Sequence, residues 1–210
     1  MANRIHTCSR VLSGSRALAL TATVLLAGAM TDHASAQTAL SGSQIVQTMN
    51  SAARAAPPGL SAALIRQAVE QHMIDNPGMP ITWKPLELLD SLAQIDVQIQ
   101  FALNSAIIRP ESYATIGSIA DALHHPVLGG YKFVVAGNTD TTGNRKANLA
   151  LSQARADAVV EALTTIYRVD PARVEAVGLG QEALQDIKNP KNPINRRVQL
   201  INIGKYLPGK

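Results

Sequence analysis

From residue 95 onward the chain alternates strand-like with helix-like segments, and this order constrains the fold more than any other feature. Apolar and polar residues alternate over 95–101, as in a half-buried strand. Three more strands are predicted at 131–135, 173–177 and 197–203, and two helices at 110–123 and 144–166. The order β-α-β-α-β-loop-β predicts an α+β fold, an α/β sandwich with helices on one face of a mixed four-stranded sheet.

A small helical region is predicted ahead of the sheet. Ser41 and Gln44 have the spacing of a helix-capping box, and an apolar stripe follows them. Pro57, Pro58 and Gly59 end this first helix, a second helix is predicted over 60–74, and a short third one over 86–92.

The first 36 residues have the order of a secretory signal peptide. Three arginines precede an uncharged run over 17–30, and Ala34-Ser35-Ala36 then provides an A-x-A cleavage site. The run is shorter than the roughly 20 residues that a membrane span needs. The predicted organisation is therefore a signal peptide (1–36), a helical region (37–94), the sheet domain (95–204) and a tail (205–210), with no transmembrane span in the mature chain.

Charge and cysteine content exclude several functions. Removal of residues 1–36 takes away three arginines and Asp32, which leaves 16 basic and 14 acidic residues and a net charge of +2. This weak charge gives no basic footprint for nucleic acid. Cys8, the single cysteine, lies in the signal segment, so we expect no disulfide, thiolate metal site or catalytic cysteine in the mature chain. No cofactor or metal is expected.

The long helix carries polar residues where apolar ones are expected. Asn148, Ser152 and Arg155 are spaced by four and three, which places them on the same stripe as Val159. An inward-facing guanidinium needs a partner or a ligand. Asp140, in the turn before the helix, is the nearest candidate, and the spacing alone favours an internal Asp140–Arg155 salt bridge.

A set of ordered motifs gives this region a second interpretation. GNTDTTG is followed by NLALSQARA over 137–156, with IQFALNSAIIRPES upstream, and VDPARVEAVGLG and NRRV downstream. Together they resemble the OmpA-like peptidoglycan-binding domain, whose pattern is G-H-T-D-x-x-G followed by N-x-x-L-S-x-x-R-A. The resemblance covers about residues 95–204. Asn138 stands where the family usually has histidine.

The resemblance implies non-covalent binding of cell-wall peptidoglycan through the diaminopimelate of its peptide stem. Asp140 would take the ammonium of that residue and Arg155 its carboxylate. Secondary contacts are expected from Thr139, Asn148 and Asn138. Arg196 is expected to border the site, whereas Arg197 is expected to point away as a solvated charge. The low aromatic content of 3% also favours a charged stem peptide over a sugar strand.

The protein is predicted to be a non-enzyme in the periplasm or cell envelope, associated with the outer membrane or with the wall. Ser152 has no evident base beside it, and the motif region offers one acidic residue where glycoside cleavage needs two. Two alternatives stay open. Residues 37–94 could bind an envelope protein as part of a scaffold, or an uncleaved N-terminal segment could tether a stator-like subunit.

Overall fold

A mixed four-stranded sheet organises the computed structural model of the chain, which describes residues 40–51, 56–78 and 88–206. The strands are β1 (Gln94–Val97), β2 (Tyr131–Asn138), β3 (Val174–Gly180) and β4 (Val198–Lys205). The helices are α1 (Gly42–Ser51), α2 (Ala62–Asp75), α3 (Tyr113–His124) and α4 (Arg145–Glu161), and residues 88–90 are also helical. The predicted α+β class and the predicted order of strands and helices along the sheet domain are therefore confirmed.

The strands lie in the order β1-β4-β2-β3. Strand β4 is antiparallel to both of its neighbours, and β2 and β3 are parallel. The prediction extended β1 to Phe101, but the strand ends at Val97 because its partner β4 begins opposite it at Val198. Phe101 instead forms an isolated antiparallel bridge with Ile108, which closes the loop between them.

Helix boundaries follow the predicted signals. Ser41 and Gln44 form the capping box at α1, where the Ser41 N–H donates to Gln44 Oε1 at 2.8 Å. Pro110 opens a single 3-10 turn that continues into α3. Asn144 caps α4 through its side-chain oxygen, which accepts from the Lys146 and Ala147 N–H groups. The helix then ends in a π-helical turn over Ala162–Ile166, so the predicted end at 166 includes this irregular turn.

One face of the sheet packs against α1, α3 and α4. Phe133 and Val135 of β2 point into this core, where Ile116 of α3 and Leu163 after α4 are fully buried. Met49 of α1 is also 0% exposed in the same core. The first helix of the predicted N-terminal region therefore belongs to the hydrophobic core of the sheet.

The opposite face of the sheet packs against α2. Because side chains alternate along a strand, Val134 and Ala136 of β2 point away from the first core. They form a second core with Ile65 and Val69 of α2. The N-terminal helices thus cover both faces of the sheet, and the described residues belong to one compact unit.

Glu175 of β3 fixes the start of α2. Its carboxylate accepts the Ala62 N–H at 2.7 Å, an unpaired donor in the first turn of the helix, and it pairs with Lys132 at 2.5 Å. Burial raises the pKa of Glu175, but the hydrogen bonds from Lys132 and Ala62 outweigh this effect and lower the pKa below its ordinary value. The carboxylate therefore holds α2 against the sheet as an anion.

The predicted signal peptide and most of the C-terminal tail lie outside the described residues. Among the helices that the structure describes, none has the length and apolarity to span a membrane. In the same ranges, no group of three or more histidine, cysteine, aspartate or glutamate residues could hold a metal ion.

Replacing Ile65 with alanine tests whether α2 is part of the folding unit. Ile65 is 6% exposed, so we expect Ile65→Ala to lower the free energy of unfolding by about 2–4 kcal/mol through lost burial and the resulting cavity. The neighbouring Leu64 is 52% exposed and provides a matched control, since Leu64→Ala should change stability by less than about 0.5 kcal/mol. Urea unfolding of both variants is the measurement, and equal effects would show that α2 is not docked.

Candidate functional site

Helix α4 approaches the sheet closely at Ser152, and this contact sets the position of the site. Ser152 is completely buried, and its hydroxyl accepts the Gly180 N–H at 2.8 Å while it donates to the Leu149 carbonyl. A Cβ at Gly178 would lie 2.5 Å from the backbone nitrogen of Gln153, and one at Gly137 would lie 2.3 Å from the Ser152 carbonyl oxygen. Glycines at these two positions therefore allow the backbones of α4, β2 and β3 to meet.

The turn before α4 is held by Asn148. Its side-chain nitrogen, Nδ2, donates to the carbonyls of Asp140 and Thr142, both at 3.2 Å, and to Gln181 Oε1 at 2.9 Å. The predicted inward orientation of Asn148 is observed, since the residue is 8% exposed. Its amide nitrogen is engaged in shaping the turn, so Asn148 positions Asp140.

The ion-pair partner of Asp140 is Arg196. Arg196 Nη1 lies 2.5 Å from Asp140 Oδ2, while Asp140 Oδ1 accepts the Thr142 N–H at 2.8 Å. The internal Asp140–Arg155 salt bridge favoured by spacing is therefore wrong. The turn and the last loop bring Arg196 to Asp140 across 56 residues of sequence.

Hydrogen bonds control the ionisation of Asp140. Burial raises the pKa of this carboxyl, but the hydrogen bonds from Arg196 and Thr142, together with the positive charge of Arg196, outweigh burial. The net effect is a pKa below the ordinary value of 3.8. Asp140 is therefore an anion at neutral pH.

Arg155 is held by the loop between Phe101 and Ile108. Its Nε donates to the Ser105 carbonyl at 3.0 Å, and its guanidinium lies 5.0 Å from the centre of the Phe101 ring. Burial is the main cause that lowers the pKa of Arg155. The charge of Arg196 lowers it further, and Asp140 opposes both effects. Within the described ranges, the terminal nitrogens Nη1 and Nη2 have no hydrogen-bond or ion-pair partner.

Asn138 at the end of β2 is oriented by a side-chain network. Arg197 can only donate, so its contact with Gln199 Oε1 at 3.2 Å fixes the orientation of the Gln199 amide. Asn138 Nδ2 donates to the same oxygen at 3.0 Å, which leaves Asn138 Oδ1 buried and without a hydrogen-bond partner among the residues that the structure describes. The hydroxyl of Thr139 is also buried without a partner in the described part of the chain.

Arg197 does not behave as the solvated charge expected from sequence. Its side chain is 11% exposed, lies 3.3 Å from the carboxylate of Asp96 and donates to the Ala183 carbonyl at 3.0 Å. Burial lowers the pKa of Arg197, and Asp96 opposes this effect. Arg196 and Arg197 both precede β4 and bind different partners, and both side chains border the cleft described below.

Asn195 organises the loop that delivers Arg196. Its side chain is completely buried and makes five hydrogen bonds to backbone groups between Gln185 and Pro190. The Arg196 N–H donates to the Pro193 carbonyl at 3.0 Å. The NRRV motif thus contains a loop organiser, the partner of Asp140 and the partner of Asp96.

An open cleft of about 460 Å³ lies beside these residues. Phe101, Asn138, Arg155, Pro193 and Arg196 line it. Asp140 is not part of the cleft wall, but it pairs with Arg196, which is, and its side chain is 6% exposed. Among the predicted site residues, Asn138, Arg155 and Arg196 therefore share the cleft wall, whereas Thr139 and Asn148 support the turn.

Sequence reasoning missed three contributors to the site. Phe101 and Ser105 position Arg155, and Gln199 orients Asn138. Gln199 could have been noticed as a polar residue between the apolar Val198 and Leu200 of β4. Phe101 and Ser105 lie within the upstream motif, but their contact with a residue 50 positions away has no local signal.

Comparisons with known proteins confirm the resemblance predicted from the motifs. The model of the OmpA family matches residues 100–197. The chain is 30% identical over 111 residues to outer membrane porin F of Pseudomonas fluorescens, covering 51% of this chain and 33% of that protein. It is 34% identical over 102 residues to the peptidoglycan-associated lipoprotein of Pseudomonas putida, covering 48% and 59% respectively. The chain thus spans about a third of the porin and somewhat over half of the lipoprotein.

The solved structures include a peptidoglycan-associated lipoprotein from Burkholderia pseudomallei. It is 28% identical to this chain, with a TM-score of 0.41, and the match covers 61% of this chain and 98% of the other. The match to the OmpA family model covers residues 100–197, which include the site residues from Asn138 to Arg196, so this part of the chain is similar to an OmpA-like domain.

Replacing Gly178 with alanine tests the close approach that places the site. The new Cβ would clash with the backbone of α4, so we expect Gly178→Ala to lower the free energy of unfolding by about 1–3 kcal/mol. Gly130 has open space where its Cβ would be, and Gly130→Ala serves as the control with little expected change. A tolerated Gly178→Ala would contradict the described packing of α4 on β3.

Removing Arg196 should raise the pKa of Asp140. Burial raises the pKa of Asp140, and in Arg196→Gln the hydrogen bond and positive charge that offset this effect are gone. The Asp140 carboxyl should therefore titrate at higher pH. Because the folded-state pKa is lowered in the wild type, the stabilisation by ionised Asp140 is present above the unfolded-state pKa and is lost as pH falls through the folded pKa. In the variant this loss should begin at higher pH.

The measurement is a carboxyl-carbon NMR titration of Asp140 in both proteins. Arg109→Gln is the matched control, because Arg109 also lines the cleft but lies 3.7 Å from Glu111 instead. An unchanged Asp140 pKa in Arg196→Gln would show that the ion pair does not form in solution.

Proposed function

We propose that the protein binds cell-wall peptidoglycan non-covalently through the diaminopimelate of the peptide stem. The observation that carries this proposal is the state of Arg155. The Ser105 carbonyl binds its Nε and the Phe101 ring covers one face of its guanidinium. The two terminal nitrogens border an open cleft and have no partner in the described ranges of the chain. An arginine fork of this kind is suited to a carboxylate, which it can bind through two parallel hydrogen bonds.

The other groups of the site complement an amino-acid zwitterion. Asp140 supplies an anion for the ammonium of the free stereocentre of diaminopimelate, while Arg155 takes its carboxylate. Asn138 contributes a buried acceptor that lacks a hydrogen-bond partner, and an unsatisfied buried acceptor costs about 1–3 kcal/mol. A donor that arrives with the ligand would relieve that cost. Thr139, Asn148 and Arg196 border or support the same site.

The similarity of residues 100–197 to the OmpA family supports the same ligand class. One relative is named as a peptidoglycan-associated lipoprotein and another as an outer membrane porin, which also supports a location in the cell envelope. A single stem contact of this size would be weak, roughly micromolar to millimolar. Because the wall repeats its peptide stems, a tethered or oligomeric protein would be retained more strongly than one site alone allows.

Binding without catalysis remains part of the proposal. Ser152 is engaged with the Leu149 carbonyl and the Gly180 N–H, so its hydroxyl serves the packing of α4. Incubation of the protein with muropeptides should therefore leave them uncleaved, as judged by chromatography.

The two alternatives stay predictions. A scaffold role for residues 37–94 would have to use the outer surfaces of α1 and α2, because their inner faces are packed against the sheet. A tether through an uncleaved N-terminal segment concerns residues outside the described ranges, and sequencing the mature N-terminus tests it.

Two stem peptides that differ by one carboxylate test the role of Arg155. Diaminopimelate and lysine carry the same side-chain ammonium, and lysine lacks the adjacent carboxylate. We expect wild-type protein to bind a muramyl tripeptide ending in diaminopimelate about 10- to 100-fold more tightly than its lysine counterpart, the range expected for a charge-assisted contact. NMR titration covers the affinities involved.

Arg155→Gln should remove this preference, and Arg155→Lys should restore only part of it because an ammonium cannot form the fork. Arg66→Gln removes a cation from α2, outside the cleft, and should leave the preference intact. Wild-type binding that does not distinguish the two peptides would refute the assignment of Arg155.

A further inference from the structure

Arg155 and Arg196 both interact electrostatically with one carboxylate, that of Asp140, and this carboxylate is already occupied. Asp140 Oδ2 holds Arg196, Asp140 Oδ1 holds the Thr142 N–H, and the side chain is 6% exposed. A ligand ammonium therefore cannot reach Asp140 unless Arg196 moves. Arg155, by contrast, presents its terminal nitrogens to the cleft with no partner in the described chain.

Arg196 is attached in a way that permits this movement. Its side chain is 48% exposed, and within the described residues its guanidinium bonds to Asp140 alone. Arg155 and Arg197 differ, because backbone carbonyls of Ser105 and Ala183 hold them. The backbone of Arg196 is fixed independently by Pro193 and by the buried Asn195, so the side chain can swing without rearrangement of the loop.

We infer that Arg196 is a specificity-determining residue that competes with the ligand ammonium for Asp140. This inference rests on the proposed function. A ligand that offers only an ammonium must break the Arg196–Asp140 ion pair to form its own pair with Asp140, so it gains little binding free energy. A ligand that also offers a carboxylate gains the contact with Arg155 and can engage the released Arg196 as well. The competing arginine thus favours ligands that carry both charges on one centre over simple amines.

The lysine-ending muramyl tripeptide tests this competition directly, because its side chain carries only the ammonium. Arg196→Gln should strengthen its binding about tenfold, the effect of removing a partly exposed ion pair that the ligand must otherwise break. The preference for the diaminopimelate peptide over the lysine peptide should fall accordingly. Arg196→Lys keeps a competing cation, so this variant should bind the lysine peptide as weakly as wild type.

An acetylated ligand provides the matched control. The same lysine peptide with its side-chain amine acetylated has no cation to place at Asp140, and Arg196→Gln should not strengthen its binding. Lysine-peptide binding that is unchanged or weaker in Arg196→Gln would overturn the inference, as would an equal gain for the acetylated peptide.

These outcomes separate the inference from the proposed function. If wild type binds the diaminopimelate peptide in an Arg155-dependent manner while Arg196→Gln gives no gain with lysine, only the competition by Arg196 is refuted. If neither wild type nor Arg196→Gln binds either peptide, both the proposed function and the inference fail.

Discussion

The contact of Ser152 with the end of β3 is the constraint on which the rest of the site depends. The Ser152 hydroxyl links α4 to the Gly180 N–H. Glycines at 137 in β2 and 178 in β3 leave room for the backbone of α4. Asn148 and Arg155 lie one turn to either side of Ser152 on the same stripe, so this contact fixes both at once. Asn148 then shapes the turn that carries Asp140, while Arg155 reaches the loop between Phe101 and Ile108.

The electrostatics of the site follow from an imbalance between its charges. Arg155 and Arg196 both interact with Asp140, and this carboxylate is paired with Arg196, the more exposed of these two arginines. Arg155 is charged and is repelled by the guanidinium of Arg196. The Phe101 ring and the Ser105 carbonyl hold the Arg155 side chain in place. A site with an excess of positive charge and no carboxylate for Arg155 is suited to a ligand that brings its own anion.

The N-terminal helices have a structural role that bears on function. The sheet has apolar residues on both faces, and each face requires a cover. α1 contributes Met49 to the core shared with α3 and α4, while α2 contributes Ile65 and Val69 to the second core. Glu175 and the Arg145–Glu182 pair then tie α2 to the sheet and to the start of α4, since Arg145 also donates to the Asn76 carbonyl at 2.7 Å.

Sequence by itself determined the local features of this protein. Strand alternation, proline and glycine positions and helical phase were enough for the element order, for the buried face of α4 and for the inward orientation of Asn148, because each depends on residues a few positions apart. Tertiary structure decided the pairing. Asp140 binds Arg196 at a separation of 56 residues and Arg155 rests on Ser105 at a separation of 50, and neither distance is encoded in a local pattern. The sequence favoured the wrong partner for Asp140 because proximity along the chain does not measure proximity in a sheet whose last strand lies beside its second.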